Sequence, residues 1–261
     1  IIPPNGYLVF FASGKDRINE NNYSHANFSL SASGEYLALT FNGSPSSEFT
    51  PIYPDQYKNI SYGFNTINGS EGYFSKSTPG EMNGPIDYSS KVSDTKFDID
   101  RGFYQSPFNV KITTKTKGST IIYTIDGSNP SLDNGTKVVN EDPQQQISAT
   151  LYIDKTTTLR AAAFKQGLIP SNIDTQTYLF LDDIVTQTER PEGYPYPWVS
   201  RNGQSIEGDY GMDPNVVGKL YSLEEIKESL LDIPTVSIVT DKNNLFGTQS
   251  GIQVNPRDSG S

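Results

Sequence analysis

Residues 120–131 read TIIYTIDGSNPS, and the fold of the chain turns on how they are read. Ile121, Tyr123 and Ile125 recur at every second position, which is the period of a β-strand with one apolar face. The strand predicted over 120–125 then meets Asp126-Gly127, a dipeptide that bends or reverses a chain because glycine tolerates a positive φ. Asn129 is held extended by Pro130, so the chain leaves the sheet edge there. Two readings of the loop stand side by side. Asp126, Ser128, Asn129, Asp133 and Asn134 crowd enough oxygens together to serve a hard cation, with calcium the candidate. The same residues are also ordinary turn chemistry, in which Asp126 accepts backbone N–H groups. None of them follows a full EF-hand spacing, and the turn reading explains the motif without a ligand.

Composition extends this β reading to the whole chain. Apolar residues make up 34% of the 261, while 22 Gly, 17 Pro, 16 Tyr and 13 Phe suit short strands joined by turns. The net charge of −10 repels phosphate backbones, so nucleic acid is excluded as a partner. With no cysteine there is no disulfide framework, thiolate nucleophile or Cys-based zinc site. No run of 18 apolar residues marks a membrane span, and no basic-then-apolar leader marks a signal peptide. The chain opens on Ile1-Ile2-Pro3-Pro4 directly before an apolar stretch, and is read as an excerpt of a longer protein.

Four segments follow along the chain, at 1–85, 86–181, 182–221 and 222–261. In the first, GYLVFFA (6–12) and EYLALTF (35–41) are strands separated by turn signals such as Ser33-Gly34 and Asn68-Gly69. In the second, FNVKIT (108–113) alternates like a half-buried strand, and Gly118-Ser119 is read as joining it to 120–125 in a hairpin. Further strands are expected over 146–153, 158–164 and 175–180. The third segment, ERPEGYPYPWVSRNGQSIEGDYG, is too proline-broken for a regular element. The fourth holds one helix, about Leu223 to Leu231, with a Ser222/Glu225 capping box and Leu223, Ile226 and Leu230 on one face. Ile233-Pro234 ends it, and Thr235–Thr240 (TVSIVT) is read as a strand.

Specific blocks carry resemblances. PPNGYLVFFASGKDR, NFSLSASGEYLAL, YPDQYKNISYGF and YFSKSTPGEMN resemble the second half of a lamin-tail domain, an immunoglobulin-like β-sandwich. RGFYQSPFNVKI, GSTIIYTIDGSNPS and TTTLRAAAFKQGLIPSNIDTQTYLF resemble the chitobiase C-terminal-type domain, a fibronectin-like β-sandwich. That resemblance implies an accessory domain, not the catalytic part of its parent. DYGMDPNVV, LLDIPTVSIVTDKNNLFG and SGIQVNP resemble the entry to CotH-type proteins, an atypical kinase-like family. The nucleotide- and metal-binding lobes of such a kinase would lie beyond residue 261. This order of domains resembles large secreted or surface proteins of bacteria.

Chemistry is sparse. The single histidine, His25, lies in NENNYSHANFSL and is read as a solvated loop residue with no neighbouring acid. Without a histidine base or a cysteine nucleophile, most nucleophilic mechanisms lack a participant. No Walker loop or dinucleotide turn is present. The acid pairs Asp98/Asp100, Asp182/Asp183 and Glu224/Glu225 fall at a strand start, a linker and a helix first turn, where a helix dipole favours acids. Glycoside hydrolysis needs two carboxyls held across a cleft. Tyr194, Tyr196 and Trp198 are the carbohydrate-binding candidates, weighed against the reading that they dock a proline-rich strap onto the sandwich.

The sequence is thus expected to be mostly β, with tandem immunoglobulin/fibronectin-like sandwiches followed by an extended linker, one short helix and a strand. Its expected role is a non-catalytic structural or interaction portion of an extracellular or cell-surface protein, without a cofactor. The alternatives are an accessory region of a CotH-like kinase and a carbohydrate-binding module. Expected partners are other domains of the same parent, a cell-surface protein or a polysaccharide.

Overall fold

Ser148–Ile153 (SATLYI) alternates exposed and buried side chains one by one, the pattern a strand shows when only one face meets a core. The same period repeats in Phe108–Thr113, where Val110 and Ile112 are fully buried between exposed Asn109 and Lys111. In the computed structural model, which describes residues 2, 4, 6–18 and 23–255, the chain is mostly β with three short helices. It divides into two units, 1–91 with 167–169 and 92–166 with 170–261.

The first unit is built from short ladders. β1 (Phe10–Phe11), β2 (Arg17–Ile18) and β3 (Ser24–His25) form one small sheet with β3 central. β4 (Leu37–Phe41) pairs antiparallel with β5 (Ser44–Phe49), and β6 (Ser61–Phe64) with β7 (Glu71–Phe74). β8 (Ser90–Lys91) pairs in parallel with Leu168–Ile169. The expected strand over 6–12 is therefore only two residues long. His25 is not a solvated loop residue. It is half-buried in β3, stacked on Phe11 at 5.0 Å between ring centroids, with Nδ1 2.8 Å from Ser13 Oγ.

The second unit is a β-sandwich. β9 (Lys96–Phe97), β11 (Phe108–Thr113) and β14 (Ser148–Ile153) make one sheet, in the order β14-β11-β9. The facing sheet runs β10-β17-β15-β12-β13, from β10 (Gly102–Phe103), β12 (Thr120–Thr124), β13 (Thr136–Val138), β15 (Thr157–Phe164) and β17 (Asp174–Leu179). β16 is the Leu168–Ile169 strand already met in the first unit. One core joins the sheets: Val110, Ile112 and Leu151 from one, Ile121, Leu159 and Tyr178 from the other. Tyr178 is fully buried and donates its hydroxyl to Ile99 O at 2.8 Å. Burial raises its pKa, which keeps the phenol neutral and a donor.

Three expectations about the opening motif are corrected. β11 and β12 are not a hairpin, because they lie in different sheets. Val110 and Ile112 meet Ile121 across the core, so the chain between them steps from one layer to the other. Gly118 makes that step with φ +63°, and an added Cβ would stand 2.7 Å from Pro143 O. The strand also ends at Thr124, one residue early, and Ile125 is exposed at 56%. Ile122 is fully buried as well as Ile121. The stretch is thus apolar on both faces, the mark of a strand covered from both sides.

Among the described residues C-terminal to the sandwich there are three helices where one was expected. α1 (Leu181–Val185) begins directly after β17 and takes up Asp182 and Asp183 in its first turn. β18 (Trp198–Val199) and β19 (Ser205–Ile206) form a small ladder inside the proline-rich segment, where no regular element was expected. α2 (Leu223–Asp232) carries the full capping box predicted from Ser222 and Glu225. Of its apolar face only Ile226 is buried, while Leu223 is 38% exposed. α3 (Lys242–Phe246) is capped by Asp241, which accepts from Asn243 N. Thr235–Thr240 is not a strand. It has no regular structure and no ladder partner among the described residues, and Val236 and Ile238 are over 80% exposed (81% and 82%). Ser237 anchors it to the outer face of β17 through Thr177, Oγ to Oγ1 2.8 Å. Among the described residues no helix is long and apolar enough to cross a membrane.

Candidate functional site

The Asp126–Asn134 loop is closed by its own side chains. Asp126 Oδ1 accepts from Ser128 N at 3.0 Å and from Ser128 Oγ at 2.6 Å, an Asx turn of the expected kind. Those two hydrogen bonds hold the Asp126 carboxyl below the usual range for an aspartate, with help from the more distant Lys242. Gly127 takes φ +79° to make the bend, and its carbonyl accepts from Arg160 at 3.0 Å. Thr124 Oγ1 donates to Ser128 O, and Asn134 Nδ2 reaches both Ser128 Oγ and Asn129 O. Asp133 is exposed and accepts no hydrogen bond from the described residues through its carboxylate. The candidate cation ligands are therefore neighbours, but the oxygens of Ser128 and Asn129 already face protein donors. Among the described residues no group of three or more His, Cys, Asp or Glu has metal-binding geometry.

The aromatic candidates do not form one flat platform. Trp198 is half-buried and meets Tyr210 edge-to-face at 5.5 Å and Phe246 at 6.3 Å. Its indole N–H donates to Tyr210 OH at 2.7 Å, and Tyr210 OH donates to Pro195 O at 2.8 Å. The expected burial of Trp198 against the sandwich is thus corrected: its ring partners come from the C-terminal segment itself. Tyr194 contacts the same two rings, Tyr210 at 5.9 Å and Phe246 at 6.4 Å. Tyr196 carries the Arg190 guanidinium 4.2 Å from its ring centroid and meets Trp198 and Tyr210 around Gly208, where an added Cβ would lie 3.0 to 3.2 Å from all three rings. Nothing in the sequence singles out Tyr210 and Phe246. The signal available was only that both are aromatics within fifty residues of Trp198, with nothing in their spacing to pair them.

Tyr194 and the Asp126 loop come together in one cleft of about 300 Å³, whose other walls are Thr158 and the 238–245 stretch. Lys242 sits there with its ammonium 4.6 Å from the Tyr194 ring centroid, donating to Gly193 O at 3.1 Å. A second, more apolar cavity of about 380 Å³ lies beside Trp198, Phe246 and Val254. A third opening, about 600 Å³, lies on the other side of Asp126 between β13 and β14 and includes exposed Tyr152.

Of the acid pairs singled out as possible catalytic groups, all but Asp100 are committed to structure through their carboxylates. Asp98 accepts from Lys111 N at 2.7 Å. Asp182 and Glu224 both pair with Lys227, and Asp183 accepts from Thr156 N. Glu225 closes the α2 capping box, and the two hydrogen bonds from Ser222 lower its pKa. None of these acids lines the Tyr194–Asp126 cleft.

Comparison with known proteins adds one finding. Residues 99–175 match the family model of the chitobiase/beta-hexosaminidase C-terminal domain. That span runs from just before β10 to the start of β17, and so covers most of the sandwich. No curated protein and no solved structure matched the chain.

Proposed function

We propose that this chain is a non-catalytic interaction portion of a secreted or cell-surface protein. The observation that carries the reading is the match of residues 99–175 to the chitobiase/beta-hexosaminidase C-terminal domain, an accessory sandwich and not a catalytic one. The chemistry of the residues agrees with it. At least one acid of each pair is held by a lysine, a backbone N–H or a helix cap, and no pair lines the Tyr194–Asp126 cleft as glycoside hydrolysis there would need. The lamin-tail-like blocks at 1–85 and the CotH-like blocks at 222–261 support placement in a multidomain surface protein, with neighbouring domains as its first partners.

The test is turnover. The purified chain, incubated with aryl glycosides and with ATP plus an acceptor protein, is expected to release no phenol and transfer no phosphate. Product formation that disappears on changing one carboxylate overturns the reading. Probing intact cells of the source organism with an antibody to the chain is expected to label them from outside. Labelling only after lysis overturns the surface placement.

A further inference from the structure

We propose that the cleft between Tyr194 and the Asp126 loop binds a neutral saccharide. The proposal rests on the interaction reading above and names the ligand class for it. A sugar ring is amphipathic: its C–H faces pack on aromatic and aliphatic walls while its hydroxyls need hydrogen-bond partners at the rim. The cleft offers both. Tyr194, 41% exposed, and the aliphatic side chains of Val239 and Leu245 supply apolar wall. Asp126 lines the cleft and takes both Ser128 hydrogen bonds on Oδ1, and no hydrogen bond from the described residues reaches Oδ2. Asp241 is engaged in the same one-sided way, through Oδ1 to Asn243 N at 2.9 Å. Thr240 Oγ1 accepts from Asn244 at 2.7 Å and keeps its own O–H to donate.

Size and charge narrow the class. At about 300 Å³ the cleft lies at the lower end of the span usual for small-molecule pockets, roughly 300–1,000 Å³. It admits one or two sugar rings and leaves the rest of a chain in solvent. Its charges are the carboxylates of Asp126 and Asp241 and the ammonium of Lys242, so an excess of negative charge faces the ligand. Uronates and other anionic sugars are repelled, while hydroxyls find charged acceptors, which make stronger hydrogen bonds than neutral ones. The aromatic wall is set in place beforehand. Tyr194 is wedged against Tyr210 and Phe246, and Tyr210 is pinned by hydrogen bonds to Trp198 and Pro195. Little ordering cost then remains to be met on binding.

Trp198 is the only tryptophan and shares ring partners with Tyr194, so its emission reports on the cleft. The 261-residue chain is titrated with cellohexaose, xylohexaose, mannohexaose and oligogalacturonate. At least one neutral hexasaccharide is expected to give a saturable change, with oligogalacturonate at least about tenfold weaker. Tyr194→Ala and Asp126→Asn are each expected to weaken that binding by about tenfold or more. Asp126→Asn keeps the Asx turn but replaces an acceptor with a donor, so its melting temperature should match the parent. Tyr152→Ala, on an exposed ring outside the cleft, is expected to bind normally. The proposal is overturned by no response to any neutral sugar up to about 10 mM. It is equally overturned by binding that survives Asp126→Asn, or by oligogalacturonate binding as tightly as the neutral sugars. Absence of binding leaves the non-catalytic reading standing, whereas cleavage of a bound sugar overturns that reading and keeps the cleft.

Discussion

Asp126 shows how much a single residue carries in this fold. Its carboxylate folds the loop by accepting two hydrogen bonds from Ser128, and they depress its pKa below the ordinary value of about 3.9. A depressed folded-state pKa means that the stabilisation is present above the unfolded value and fades as pH falls through the folded one. Asp126→Ala should therefore cost about 1 kcal/mol at neutral pH. The difference between variant and parent should shrink below about pH 4 in urea titrations. Asp126→Asn should stay within about 0.5 kcal/mol of the parent. Millimolar calcium should leave the melting temperature unchanged, and a calcium-dependent rise that Asp126→Asn abolishes would restore the cation reading. The Asx role was legible in the sequence because it depends on neighbours two residues apart. The partnership of Tyr194 with Tyr210 and Phe246 was not, since rings sixteen and fifty-two positions away in the chain leave no periodic trace.

At the scale of elements, local signals held where an element is specified locally and failed where pairing is remote. The α2 helix was legible because Ser222 and Glu225 satisfy each other across one turn, whatever the helix packs against. Ser222→Ala should remove that exchange and cost about 0.5–2 kcal/mol by chemical denaturation, with loss of helical signal confined to 223–232. β11 and β12 were each legible as strands, yet their relation was misread. Six intervening residues with a glycine suit a hairpin, but Val110 and Ile112 need Ile121 opposite them across the core, not beside them in one sheet. Burial against a facing layer decided the pairing, and sequence spacing does not report it. Thr235–Thr240 failed in the opposite sense. Its β-branched residues favour a strand, but a ladder needs a second chain segment that local propensity does not supply.

For the whole molecule, the weight of stability lies in the sandwich core. Ile112 is fully buried between the sheets, and Ile112→Ala should cost about 2–5 kcal/mol, measured as a lowered urea midpoint of the sandwich. The mostly β class was legible from composition and turn density alone, because strands, turns and aromatics leave their mark on residue counts. The step between layers at Gly118 was not, because it is fixed by the close approach of Pro143, twenty-five residues on. One feature outside the core bears on how the protein behaves in solution. TVSIVT is uncharged, proline-free and β-branched, and it is held open with Val236 and Ile238 facing water. Such a segment is a template for self-propagating cross-β stacking when many copies meet. Concentrated protein should form thioflavin-positive fibrils on prolonged agitation, and Ile238→Lys should delay their onset without shifting the melting temperature, so that the shelf life of the protein is set by six residues that lie outside its core.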